Sequence, residues 1–125
     1  MRHEFEVELR SVMARPKPEP KPRVPRIRKT LVLAYQIATY IKDNDIPALK
    51  DFCRHANITP ARGTQIMALL NLSPQIQEEI LLGDWRVLLK LAENNVRRIV
   101  QELTWENQES LWKRHVAALN QPKTR

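Results

Sequence analysis

The sequence predicts an all-α protein. Three observations carry that prediction. From Lys29 onward apolar residues recur at spacings of three and four, the period of one helix face. The chain of 125 residues has only two glycines, Gly63 and Gly83, so few points of backbone freedom interrupt it. Two hydroxyl-proline pairs, Thr59-Pro60 and Ser73-Pro74, are helix start signals, with an oxygen at the N-cap and proline at the first helical position. A hydrophobic content of 42% is enough for a buried core, and the length suits one domain with tails.

The elements follow in order. Phe5-Glu6-Val7-Glu8-Leu9 alternates apolar and acidic residues, the period of a short half-buried strand. A lone strand is not stable in water, so it pairs with a partner, pairs with its own copy, or stays unfolded. Pro16, Pro18, Pro20, Pro22 and Pro25 then alternate with Lys17, Lys21, Arg23 and Arg26. Proline at this density excludes helix and sheet and leaves an extended basic arm. Such a segment serves as a stiff linker, as an arm that tracks phosphates, or as both.

Residues 29–44 read as the first helix, with Leu31, Ala34, Tyr35, Ala38 and Ile41 on one face. A second, 47–56, places Leu49, Phe52, Cys53 and Ala56 together. Asn57 suits the left-handed conformation that ends a helix, and Ile58 is an apolar plug. Thr59-Pro60 opens a third helix, running to about Leu70, which buries Ile66, Leu69 and Leu70. Its other face shows Ala61, Arg62, Thr64 and Gln65. Ser73-Pro74 opens a helix with Ile76, Ile80 and Leu81 that stops near Gly83. Residues 87–103 continue a helical pattern through Leu88, Leu91, Ala92, Ile99, Val100 and Leu103, with Asn94-Asn95 as its weak point. Thr104 caps a last helix, 105–119, striped by Trp105, Leu111, Trp112, Val116 and Leu119, with Glu106 in its favourable first turn.

A net charge of +7 points to an acidic partner such as nucleic acid. The single cysteine, Cys53, falls on a buried face and reads as a core residue. No apolar run is long enough to span a bilayer, and the N-terminus lacks a secretory pattern. A cytoplasmic location is the default expectation. No metal, cofactor or catalytic site is expected. His3, His55 and His115 are far apart, and no Cys/His spacing suggests zinc. Ser11, Ser73 and Ser110 lack a His/Asp arrangement, and Glu78-Glu79 and Glu102/Glu106 read as solvated helix-face charges. The chain is therefore not expected to be an enzyme.

Two short helices joined by a tight turn, the second bearing a polar and basic face, suit the DNA major groove. The segment TPARGTQIMALLNLSPQIQE, from Thr59 to Glu78, resembles the helix-turn-helix region of the ParB/KorB family. There a recognition helix runs into a leucine-leucine-asparagine-leucine-proline signature and then an x-I-Q-E helix. This chain has LLNLSP, with one serine inserted before the proline, followed by QIQEEIL. It is most similar to short ParB-like proteins found beside serine recombinases in bacterial mobile elements. Those share a basic Pro-rich start, an R-V-P-R-I lead-in matched by residues 23–27, and a W-x-x-Q-x-x-L-W segment matched by Trp105, Gln108, Leu111 and Trp112. The resemblance implies an all-helical DNA binder with residues 59–70 in the groove. The sequence departs from full-length ParB proteins in two ways. The stretch before Lys29 is too short for a CTP-binding domain, and Gly63 stands where an apolar residue is usual.

The resulting expectation is a strand and basic arm over 1–28, a helical DNA-binding domain over 29–119 and a flexible tail over 120–125. Double-stranded DNA is the expected partner, in the role of a regulator or recombination accessory factor of a mobile element. Thr59, Ala61, Arg62, Thr64 and Gln65 are candidates for base contacts. Arg26, Arg28, Lys29, Lys50, Arg54 and His55 are candidates for phosphates, with a plain surface histidine the alternative for His55. Trp105 and Trp112 are either core or an interface with a second copy or a serine recombinase. Two rival functions stand beside this one. A protein-interaction adaptor would use the tryptophan stripe and the N-terminal strand. An RNA binder would use the basic arm, although that arm lacks the aromatic platforms single-stranded RNA recognition favours.

Overall fold

The computed structural model describes residues 21–121. The expected strand at Phe5–Leu9, the arm before Lys21 and the tail residues 122–125 lie outside them. Every regular element among the described residues is helical: α1 (Arg26–Asp43), α2 (Leu49–Ala56), α3 (Pro60–Ala68), a 3₁₀ turn (Leu69–Asn71), α4 (Pro74–Leu82), α5 (Trp85–Leu88), α6 (Glu93–Val100) and α7 (Trp105–Asn120).

α1 begins at Arg26, three residues ahead of the expected start. Pro25 sits at the N-cap with φ −59°, a proline value compatible with leading into a helix. The added turn buries Ile27, so tertiary contact extends the helix beyond its local periodicity. The buried face is Ile27, Thr30, Leu31, Ala34 and Ile37. Tyr35, expected on that face, lies instead at its margin and gives its hydroxyl to Gln77 Oε1. α2 ends at Asn57 in the left-handed region, φ 57°, as the sequence predicts. Its core residue is Cys53, while Leu49 and Phe52 are half-buried and Ala56 is exposed.

The start signals operate as read. Thr59 Oγ1 accepts from the Arg62 backbone N–H at 3.2 Å, and Ser73 Oγ accepts from Ile76 at 3.2 Å. Thr104 Oγ1 accepts from Asn107 at 3.2 Å. Each satisfies a helix-start donor that otherwise has no partner. The helix expected over 87–103 is broken, but not at Asn94-Asn95. The break falls at residues 89–92, where Lys90 and Leu91 donate to the Val87 and Leu88 carbonyls in a tightened turn. Leu88 and Leu91 thereby face the core, and a new helix starts at Glu93 with Val96 and Ile99 buried. Leu103, expected in the stripe, lies past the end of α6 and is 99% exposed.

Two apolar clusters organise the helices. The larger joins Ile27 and Leu31 of α1 to Leu69, Leu72, Ile76, Ile80, Leu88, Leu91, Val96, Ile99 and Trp112. The smaller joins Ala34, Ile37 and Ile66, flanked by Leu49, Phe52 and Met67. α1 packs on α3, the 3₁₀ turn and α4, while α7 packs on α4, α5 and α6. α3 thus lies among α1, α2 and α6, and Ala61 and Thr64 on its remaining face are exposed.

Candidate nucleic-acid interface

α3 carries the candidate site because its two faces differ. Gly63 and Ile66 are buried, whereas Ala61 and Thr64 are exposed and Arg62 and Gln65 are half-exposed. Gly63 is needed for packing. A Cβ at this position would lie 2.4 Å from Cys53 Sγ, so glycine is what lets α2 and α3 approach. The sequence leaves open whether Gly63 favours DNA or another helix; the close contact is with the helix.

The five candidate base-contacting residues share the solvent side of α3, with different degrees of freedom. Thr59 is occupied as the N-cap. Thr64 donates its hydroxyl back to the Pro60 carbonyl at 3.0 Å, leaving its methyl and lone pairs outward. Arg62 is engaged across to α6. Its Nη1 lies 2.5 Å from Glu93 Oε2 and its Nη2 lies 3.0 Å from Glu93 Oε1. A third bond runs from Nη1 to Gln65 Oε1 at 3.3 Å. The hydrogen bond from Arg62 holds the Glu93 carboxyl below its ordinary range; burial opposes this, and the charges of Arg62, Arg97 and Arg26 add to it. The Arg62 pKa is raised, first by the same bond, against burial. Arg97 Nε stands 3.8 Å from Glu93 Oε2.

α6 adds residues that the sequence pattern did not single out. Asn94, Arg97, Arg98 and Gln101 face Thr64, Gln65 and Ala68 of α3 across a groove of 420 Å³. The lining is mixed, with Ala68 and Val100 among the polar side chains, and the α6 wall carries both arginines. The only sequence signal was the i, i+1 arginine pair at 97–98 beside asparagines, which local reading takes for a solvated helix face.

The phosphate candidates divide. Arg26, Lys29, Lys50, Arg54 and His55 are exposed and form no ion pair among the described residues. The Arg26 charge also lowers the Glu93 carboxyl, the smallest of the influences on it. Arg28 is placed otherwise than expected. Its Nε and Nη2 donate to the Ile80 and Gly83 carbonyls at 2.8 and 2.9 Å. Those carbonyls terminate α4 and need donors, so Arg28 is a structural cap.

The tryptophans divide too. Trp112 is 2% exposed and donates its indole N–H to Glu79 Oε2, which removes it as an interface residue. Trp105 is 57% exposed. The matched glutamine, Gln108, is buried and clamps the LLNLSP turn. Its Oε1 accepts from the Ser73 N–H at 2.8 Å and its Nε2 donates to Asn71 O at 3.2 Å. Gln77 grips the same turn through Leu72 O at 2.8 Å. Among the described residues there is no cluster of His, Cys, Asp or Glu able to hold a metal, and no helix long and apolar enough to cross a membrane. Comparison of the chain with protein-family models, curated proteins and solved structures finds no match.

Proposed function

We propose that the chain is a double-stranded DNA-binding protein with sequence preference, acting as a regulator or recombination accessory factor of a mobile element. The observation that carries this reading is the groove between α3 and α6, which brings polar and basic side chains of both helices together. Along it Arg62, Thr64 and Gln65 stand beside Asn94, Arg97 and Arg98. α2 and α3 would then form a helix-turn-helix, with α3 in the major groove and α6 at its edge. Arg pairs with guanine, and Gln and Asn with adenine. Arg26, Lys29, Lys50, Arg54 and His55 would position the protein on phosphates. The ParB/KorB resemblance of residues 59–78 supports the same reading.

Selection of bound sites from a random duplex library tests it, with single-stranded DNA and RNA as competitors. A recurring site, displaced poorly by either competitor, is the expected result. Arg62→Ala should weaken that site by about 1–3 kcal/mol and affect random duplex much less. No enrichment of any sequence would overturn the reading. A second reading, a protein-interaction adaptor, draws on the exposed Leu103 and Trp105 side chains at the α6–α7 corner. It predicts loss of partner capture, with intact DNA binding, in Trp105→Ala.

A further inference from the structure

The Arg62 guanidinium carries five N–H donors in two forks, one at its end and one at its side. Glu93 fills the end fork, with Oε2 on Nη1 and Oε1 on Nη2. Gln65 Oε1 takes the other Nη1 donor. Nε–H and the second Nη2 N–H make no hydrogen bond among the described residues. They constitute the side fork, on a side chain that is 41% exposed. Two parallel donors on a fixed plane match O6 and N7 of guanine in the major groove.

Glu93 is itself well held. It lies in the first turn of α6, where the helix favours a negative charge. Its side chain is 19% exposed, with the Arg97 Nε charge 3.8 Å from Oε2. Arginine samples many rotamers when free, and ordering it on binding costs entropy that a preformed contact removes. A carboxylate on a DNA-facing surface also repels phosphate. That combination suppresses general attraction and rewards one donor geometry, the pattern of a specificity device.

We infer that Glu93 is a positioning residue that presents the free side fork of Arg62 to a guanine edge. The inference rests on the DNA-binding reading and adds to it a base identity and an acidic determinant on the other helix. The test takes the duplex selected by the wild-type chain and replaces its guanines one at a time with 7-deazaguanine, which lacks the N7 acceptor. Affinities are compared for wild type, Arg62→Ala, Glu93→Ala and Glu93→Gln, each checked for folding by thermal melting. One position should cost the wild type about 10-fold and Arg62→Ala almost nothing. Glu93→Ala should reduce that discrimination to under about 3-fold, while its binding to random duplex rises by about 3-fold as a repulsive charge leaves. Glu93→Gln should fall between, and it decides the matter if Glu93→Ala does not fold. A structural staple between α3 and α6 would lower the melting temperature and leave the 7-deazaguanine discrimination intact; that result overturns the inference alone. So does an equal loss on selected and random duplex, which would make Arg62 a phosphate contact. A wild-type chain that selects no duplex overturns the DNA-binding reading and this inference with it.

Discussion

Glu93 and Arg62 lie thirty-one positions apart in the chain and meet only because α3 and α6 pack together. Their pairing gives the fold a pH dependence whose sign can be worked out. Glu93 has a folded pKa below its ordinary 4.5, so across that interval the unfolded chain binds more protons and stability rises with pH. The contribution is complete above 4.5 and is lost as pH falls through the lower folded value. Arg62 is half-exposed, which keeps the pair at about 0.5–1 kcal/mol. Wild type should exceed Glu93→Gln by that amount in denaturant unfolding at neutral pH, and the gap should close in strong acid. A gap of constant size from pH 7 to pH 3 would show that charge is not its source.

At the scale of elements, two contacts set how helices meet. Gly63 lets α3 approach Cys53 of α2. Alanine there gains about 1 kcal/mol of helix propensity but places its Cβ 2.4 Å from Sγ, and overpacking costs about 1–3 kcal/mol. Gly63→Ala should therefore destabilise by up to about 2 kcal/mol. Removing the sulfur by Cys53→Ala in the same chain should recover most of that loss, a non-additivity read from a double-mutant cycle. Simple additivity would mean that the two side chains do not collide. The second contact is Gln108, which ties α7 to the turn between α3 and α4. Gln108→Leu leaves the buried Ser73 N–H without its partner, at about 1–3 kcal/mol, and also removes the bond to the Asn71 carbonyl. Melting should fall clearly, and amide exchange at Ser73 should quicken. Protection of that amide at the wild-type level would show that another group satisfies it.

At the scale of the whole molecule, charge decides how the chain meets a polyanion. The Pro-rich basic segment leads into α1 at Arg26 and includes Arg15, Lys17 and Lys21 in sequence. Deleting residues 15–22 should weaken binding to every duplex alike. It should also flatten the dependence of log affinity on log salt, by about 0.9 for each phosphate that the shortened chain no longer neutralises. The helical domain should melt as before, because these residues offer no apolar face to its core. Unchanged affinity with an unchanged salt slope would reduce the arm to a tether.

Sequence alone settles whatever neighbouring residues dictate. The all-helical class, the caps at Thr59, Ser73 and Thr104, and the left-handed stop at Asn57 each depend on contacts within a few positions. The outward placement of Ala61 and Thr64 on α3 was legible for the same reason, since at 3.6 residues per turn they stand roughly opposite the buried Ile66. Tertiary packing settled the rest. It drew Ile27 into α1, moved the break in 87–103 to the point where Leu88 and Leu91 turn inward, and buried Trp112 while leaving Trp105 exposed. It also committed Arg28 to the end of α4, brought Arg97 and Arg98 beside α3, and joined Arg62 to Glu93. Periodicity shows that a polar residue faces away from its own helix's apolar stripe. Which carbonyl, carboxylate or solvent it then meets depends on how distant helices pack, because those partners are supplied by segments tens of residues away.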